Sequence, residues 1–463
     1  MDRTKLLGVS LSCLAMWVPA CSDPPATDAG TADTGTADTG TADTGTGDTG
    51  TADTGAADTG TRPDASDVTM QDTAPRDTGT TGDTGTTGDT GTTGDTGPVG
   101  DAGVGTTFEA TLSGFQEVPA VQTMATGTAT LTLNAARTMV TYRVTHTATG
   151  ATAAHLHVGL GGENGGVAFA LSGFGATIEG SAAVTPEQAT AIEQGRTYFN
   201  VHTMANAGGE LRGQVHRPGE TLWVARLSGD QENPPVVTTS TGLGNLFANA
   251  MTNRVRYNVR TSATPTMAHV HMAPGGRNGG VVLDLGAAMT VDMNRVYVGE
   301  AAVPMSGSLM DLTAGRWYFN VHTAVNAGGE VRGQLLRPGE TLYTAQLAGT
   351  NEVPPVVTTA SGSAAVIVSA DRAQLSYDAA LAMITPTAGH LHVAPLGMNG
   401  GVAFPLTLSS TGGAGTLMSG MAMGMTGMAF LSSLDAGNVY VNVHTMANAG
   451  GELRGQLARR PAL

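Results

Sequence analysis

A single lysine, Lys5, serves the whole 463-residue chain, and its only two cysteines, Cys13 and Cys21, both fall within the first twenty-one residues. Beyond that point no disulfide is available, so whatever folds must do so by packing alone, which domains of ordinary size can manage. With arginine as the only other strong base, the chain offers no basic patch to follow a phosphate backbone, and no nucleic-acid partner is expected. The apolar run from Leu6 to Val18 is too short to anchor as a membrane-spanning helix. No serine or cysteine recurs beside a histidine and an acid, which leaves a hydrolase without its nucleophile.

What is present falls into two unlike parts. The net charge of −16 is concentrated in residues 22–101, where sixteen aspartates face only Arg62 and Arg76, a local balance of −14. The stretch repeats Thr-Ala-Asp-Thr-Gly and then Thr-Thr-Gly-Asp-Thr-Gly. It has almost nothing apolar to bury against the entropy of ordering, and reads as a disordered, extended linker over 21–104 spanning roughly 50 Å. Asp-Thr-Gly is also an aspartic-protease triplet, but no apolar strand flanks any copy here. Aspartates five residues apart in a flexible chain do not preorganise a calcium site either.

Ahead of the linker, Arg3 and Lys5 precede the apolar run and a small residue, the pattern of an export signal over residues 1–20. Val18-Pro19-Ala20-Cys21 resembles a bacterial lipobox, with Cys21 as the lipidated residue. That predicts membrane attachment through an N-terminal lipid anchor and a place in the cell envelope or on the cell surface. The alternative is a plain secretory signal cut after Ala20.

The rest is a triplication. His155-Leu156-His157, Asn200 to Thr203 and Asn206 to Gln214 recur as His269-Val270-His271, Asn320 to Thr323 and Asn326 to Gln334, and again as His390-Leu391-His392, Asn442 to Thr445 and Asn448 to Gln456. A period near 120 residues is too long for a solenoid turn, so each copy is a domain, over 105–219, 220–339 and 340–463. With almost no linker at Arg217 to Leu222 or Arg337 to Leu342, the three should form a short row.

Alternation in Ala129 to Leu133, a turn at Asn134 to Arg137 and renewed alternation at Val140, Tyr142 and Val144 give a hairpin with one buried face. Helical periodicity is confined to Pro186 to Gln194 and Ser306 to Thr313. The fold class is therefore all-β: three tandem antiparallel Greek-key-like sandwiches of seven or eight strands each, after the disordered tether.

Period two places His155 and His157 on one face about 7 Å apart with Leu156 in the core. In Tyr198 to His202 it sends Phe199 and Val201 inward and Asn200 and His202 outward. Three imidazoles then converge in each domain: His155, His157 and His202; His269, His271 and His322; His390, His392 and His444. Three neutral histidines suit copper or zinc with one position left open. The other role open to them is to hydrogen-bond the glycine-rich loops Gly161 to Gly166, Gly275 to Gly280 and Gly397 to Gly401.

Glu210 with Arg212, Glu330 with Arg332 and Glu452 with Arg454 suggest salt bridges closing the last hairpin. The three arginines are also the obvious candidates for guiding a small anion. Glu117, Glu232 and Glu352, each before a proline-set loop, read as surface carboxylates, with a ligand role as the alternative.

The combination of Gly349-Thr350-Asn351-Glu352-Val353-Pro354-Pro355, His390-Leu391-His392-Val393-Ala394-Pro395 and Tyr198-Phe199-Asn200-Val201-His202-Thr203 with Asn206 to Gln214 resembles the CHRD domain, named from chordin and widespread in bacterial secreted proteins. The resemblance covers residues 105–460 and implies a compact extracellular β-sandwich module acting in binding or structure, with an envelope or extracellular partner. Chordin's growth-factor binding is associated with separate cysteine-rich modules, which this chain lacks. His-x-His with a distant third histidine is also similar to the copper half of copper/zinc superoxide dismutase. No bridging histidine lies between the elements, however, which argues against a binuclear site.

Overall fold

The computed structural model describes residues 105–460. The expected export signal, Cys21 and the Thr/Asp/Gly linker lie outside the described residues.

Domain 1 contains β1 (Thr106–Ser113), β2 (Thr126–Leu133), β3 (Met139–His146), β4 (Ala151–Val158), β5 (Gly166–Ala170), β6 (Thr177–Ala183), α1 (Pro186–Glu193), β7 (Thr197–Thr203) and β8 (Leu211–Gln214). All pairings are antiparallel, in the order β5-β4-β7-β8-β1-β2-β3-β6. The sandwich is realised as one continuous sheet curled into a barrel-like body. Alternating strands close it around Phe108, Leu112, Leu131, Val140, Val144, Leu156, Phe199 and Val201, all buried. The single helix starts where the residues demand: Thr185 and Gln188 form a reciprocal capping box, and Pro186 takes a first-turn position whose N–H would be unpaired anyway.

Domain 2 repeats the plan with β9 (Glu220–Ser228), β10 (Thr241–Asn249), β11 (Arg254–Thr261), β12 (Pro265–Met272), β13 (Gly280–Asp284), β14 (Met289–Val291), β15 (Asn294–Ala302), α2 (Leu309–Thr313), β16 (Trp317–Thr323) and β17 (Val331–Gln334). Domain 3 does so with β18 (Thr341–Ala348), β19 (Ser361–Val368), β20 (Gln374–Ala382), β21 (Ala388–Val393), β22 (Gly401–Leu406), β23 (Gly412–Met418), α3 (Gly427–Asp435), β24 (Val439–His444), β25 (Leu453–Gln456) and a short β26 (Ala458–Arg459) beside β18. The helix α3, which buries Phe430, Leu431 and Leu434, was not expected from the sequence.

Domains 1 and 2 each seat one end on the outer sheet face of the domain that follows. The loop after β4 meets β9 and β10, with Gly161 against Leu222 and Val224 and Gly195 against Phe247. Arg226 donates to the Gly162 carbonyl at 3.1 Å, Arg256 to that of Glu193 at 3.2 Å, and Arg260 pairs with Glu163. Domain 2 repeats the contact on domain 3: Gly275 lies against Leu342 and Thr344, Gly315 against Ile367, and Arg316 pairs with Asp378 at 2.7 Å. The seams bury small apolar clusters of their own, Leu222, Val224 and Phe247 in one and Leu336, Leu342 and Ala365 in the other.

Candidate metal centre

The histidines sit on β4 and β7, which pair in the register His155 with Asn200, His157 with Tyr198 and Ala153 with His202. Leu156, Phe199 and Val201 fill the core, so the alternate residues of both strands share the opposite face. There His155 and His202 become diagonal neighbours, with His155 Nδ1 3.0 Å from His202 Nε2. The equivalent separations are 3.2 Å for His269 and His322 and 3.0 Å for His390 and His444. In every domain one ring nitrogen from each of the three histidines lies within 4.8 Å of the other two. Nitrogens about 2.0–2.1 Å from one tetrahedral ion sit roughly 3.4 Å apart. The close pair of each set is already near that spacing, and gripping one ion would replace its mutual hydrogen bond and draw in nitrogens that lie up to 4.8 Å apart.

Backbone carbonyls settle two of the three tautomers. His157 Nδ1 donates to the Gly165 carbonyl at 3.0 Å, as His271 does to Gly279 and His392 to Gly400, both at 2.9 Å. His202, His322 and His444 donate from Nδ1 to Ala207, Ala327 and Ala449, each at 3.0 Å. A carbonyl only accepts, so in the neutral ring the proton is on Nδ1 and the Nε2 lone pair points into the site. The Nε2 atoms of His157, His271 and His392 are buried and have no protein partner. Burial depresses the pKa of His155, His157, His271, His322, His390 and His392, which keeps these rings in the neutral form a metal requires.

Behind the histidines stands a column that the sequence reading missed. His157 stacks on Tyr198 with ring centroids 4.9 Å apart, and the Arg212 guanidinium lies 3.5 Å from the centre of the same ring on its other side. His271, Tyr318 and Arg332 repeat the column, as do His392, Tyr440 and Arg454. Arg212 donates to the carbonyls of Glu163 and Leu160 at 2.6 and 2.7 Å, and Tyr198 Oη accepts from Gly165 N at 3.0 Å. The loop that orients His157 is thus tied down at three points. Only glycine fits its tightest position, since a Cβ on Gly165 would lie 1.8 Å from the Val158 carbonyl.

This geometry corrects three expectations. Glu210 does not bridge Arg212, nor Glu330 Arg332, nor Glu452 Arg454. Each carboxylate is saturated by nearby donors, Thr123, Thr203 and Asn206 in the case of Glu210, while each arginine donates into the loop after the first histidine strand, to backbone carbonyls from Arg212 and Arg332 and to the Met398 carbonyl and the Asn399 side-chain oxygen from Arg454. Arg212, Arg332 and Arg454 are fully buried, so they cannot steer an anion from solvent. Glu117, Glu232 and Glu352 are not surface carboxylates. They are 5–7 % exposed, and burial pushes each up to about 7 against the pull of the neighbouring arginine. The recurrence of tyrosine two residues before the asparagine of each Asn-Val-His-Thr motif was the one available signal for the column.

The family model of the CHRD domain matches the chain three times, over residues 108–215, 223–335 and 343–457. No curated protein matches it.

Proposed function

The chain belongs to the CHRD-domain family, in three tandem copies, and from that premise we propose that this binding module is an exported metal-holding protein, each domain gripping one copper or zinc ion between its three histidines. The observation that carries this is the buried Nε2 lone pair of His157, His271 and His392. It is unpartnered in all three domains, and its tautomer is held by a backbone carbonyl. Second-sphere carbonyls of this kind orient imidazoles for metal. A purely structural histidine would have used both nitrogens.

The test is metal content of the full chain, purified without a polyhistidine tag, loaded with copper or zinc and dialysed. Three ions per chain are expected. Two should remain when His155, His157 and His202 are replaced by alanine, with the β-sheet circular dichroism unchanged. A folded wild-type chain that keeps no metal would overturn the proposal and assign the histidines to the loops.

Placement in the cell envelope is the second part of the proposal. It rests on the Val18 to Cys21 pattern and the acidic linker, with an extracellular or envelope partner beyond the membrane itself. Among the described residues no helix is long and apolar enough to cross a membrane. A Cys21→Ser chain should leave the membrane fraction and take up no labelled fatty acid. Unchanged membrane partition would defeat the lipid anchor.

A further inference from the structure

The three histidine sets are alike, but their neighbours are not. Two residues before the first histidine, domain 1 has Ala153 and domain 3 has Ala388, whereas domain 2 has Met267. Strand alternation puts Met267 on the same face of β12 as His269 and His271. Across the ladder it is paired directly with His322, just as Ala153 is with His202 and Ala388 with His444. Residues so opposed have Cβ atoms about 4.5–5.5 Å apart. An unbranched side chain with three rotatable bonds spans that gap.

Two further observations agree. His322 is buried, at 6 % exposed, while His202 and His444 are only partly covered. Met267 is itself 50 % exposed and is not among the apolar residues packed on the domain 2 core. Its side chain is thus not held in the interior and stands on the ladder beside His322.

Resting on the three-histidine reading above, we propose that Met267 supplies a thioether as fourth ligand in domain 2, making this site a cuprous-copper site among three. Three imidazoles alone accept zinc and cupric copper comfortably. A neutral, soft sulfur adds affinity for copper(I) and little for zinc. Domains 1 and 3, with alanine at that position, serve as internal controls.

The experiment is an anaerobic competition titration of the full chain with a chromogenic copper(I) chelator, ascorbate keeping the metal reduced, beside a zinc titration of the same preparations. One copper(I) per wild-type chain should resist the chelator about tenfold better than the other two. Met267→Ala should bring that ion down to the level of the others and leave three zinc sites. Ala153→Met, which removes nothing, should create a second resistant ion. Equal copper(I) affinities in wild type and Met267→Ala, with three ions still bound, would overturn the role of Met267 and leave the histidine reading standing. Absence of any bound metal would overturn both.

Discussion

The outer sheet face of domain 1 and the corresponding faces of domains 2 and 3 share a backbone and differ in almost every side chain. Where β9 and β10 present Leu222, Val224 and Phe247, and β18 and β19 present Leu342, Ala365 and Ile367, the matching positions of β1 and β2 are Thr107, Glu109, Thr130 and Thr132. Leu222, Val224, Phe247, Leu342 and Ala365 are buried by the preceding domain. The three threonines lie open or half-covered, two of them bonded only to each other. The opposite end shows the same change in reverse: Gly161 and Gly275, each pressed on the next sheet, become Leu396 in domain 3, which is 77 % exposed. Arg196 and Arg316 become Asn438. Domain 1 thus presents polar residues where domains 2 and 3 present an apolar seat, and domain 3 lacks the glycine by which domains 1 and 2 are seated.

The largest effect should come from the centre of a seam. Phe247→Ala removes an aromatic ring buried between domains 1 and 2 and should cost about 3–5 kcal/mol, whereas Thr132→Ala at the matching position of domain 1 should change stability by less than about 0.5 kcal/mol. Urea midpoints of the two variants, followed by tryptophan fluorescence, make the comparison. Equal midpoints would mean the seam contributes nothing.

Next come features that all three domains share, which should respond alike whatever their faces. Glu117, Glu232 and Glu352 have a folded pKa raised to about 7 from 4.5. Their contribution is therefore favourable below about pH 4.5 and declines as pH rises through 7. Replacing any one by glutamine should stabilise the chain at pH 8, by up to roughly 3 kcal/mol, and leave it unchanged at pH 4.5. The histidines run the other way. The depressed folded pKa values of His155, His157, His271, His322, His390 and His392 mean that stability present above the unfolded value of about 6.5 is lost as pH falls below it. Thermal melts of the metal-free chain across pH 4.5 to 8 should therefore show histidine and glutamate variants diverging in opposite directions.

Smaller still is the effect of filling the glycine seat. Gly161→Leu drives a side chain toward Val224, whose Cγ1 lies 2.7 Å from an added Cβ, and should cost about 1–3 kcal/mol. Leu396→Gly, the reciprocal change at the free end, should be close to neutral. Limited proteolysis at the Arg217 to Leu222 junction reads the difference, faster cleavage being expected only in the first. Least of all, Arg260→Ala, which breaks a partly exposed pair with Glu163, should lower the melting midpoint by no more than about 1 kcal/mol allows. That loss should shrink further in high salt.

Period-two alternation was enough to place Leu156, Phe199 and Val201 inside and to bring the three histidines of each domain to one face. It also located the hairpin of β2 and β3, while helical periodicity located the helix at Pro186. Alternation says which side of a sheet a residue takes, not what covers that side. Loops fold over Arg212, Tyr198, Asn200 and Glu117 and bury them, so residues that looked solvent-facing are interior. The salt bridge between Glu210 and Arg212 failed for the same reason, since each found nearer partners in loops whose path no local pattern reveals. The seam was written in the replacement of Thr107 and Thr132 by Leu222 and Phe247. It stayed hidden because aligning repeats brings out what they share, and the difference carried the information.

The loop that carries Gly165, whose carbonyl orients His157, also carries Gly161, which rests on the next domain. One short segment therefore answers to two masters. Under the three-histidine proposal, free energy gained when an ion binds His157 would be felt at the seam, and a firmly seated neighbour would be felt at the ion, by the reciprocity that governs any two events sharing one rigid part. Domains 1 and 2 possess this linkage. Domain 3, whose corresponding loop stands in the open at Leu396, does not, so on the same proposal its site would be the one to fill and empty without consulting its neighbours.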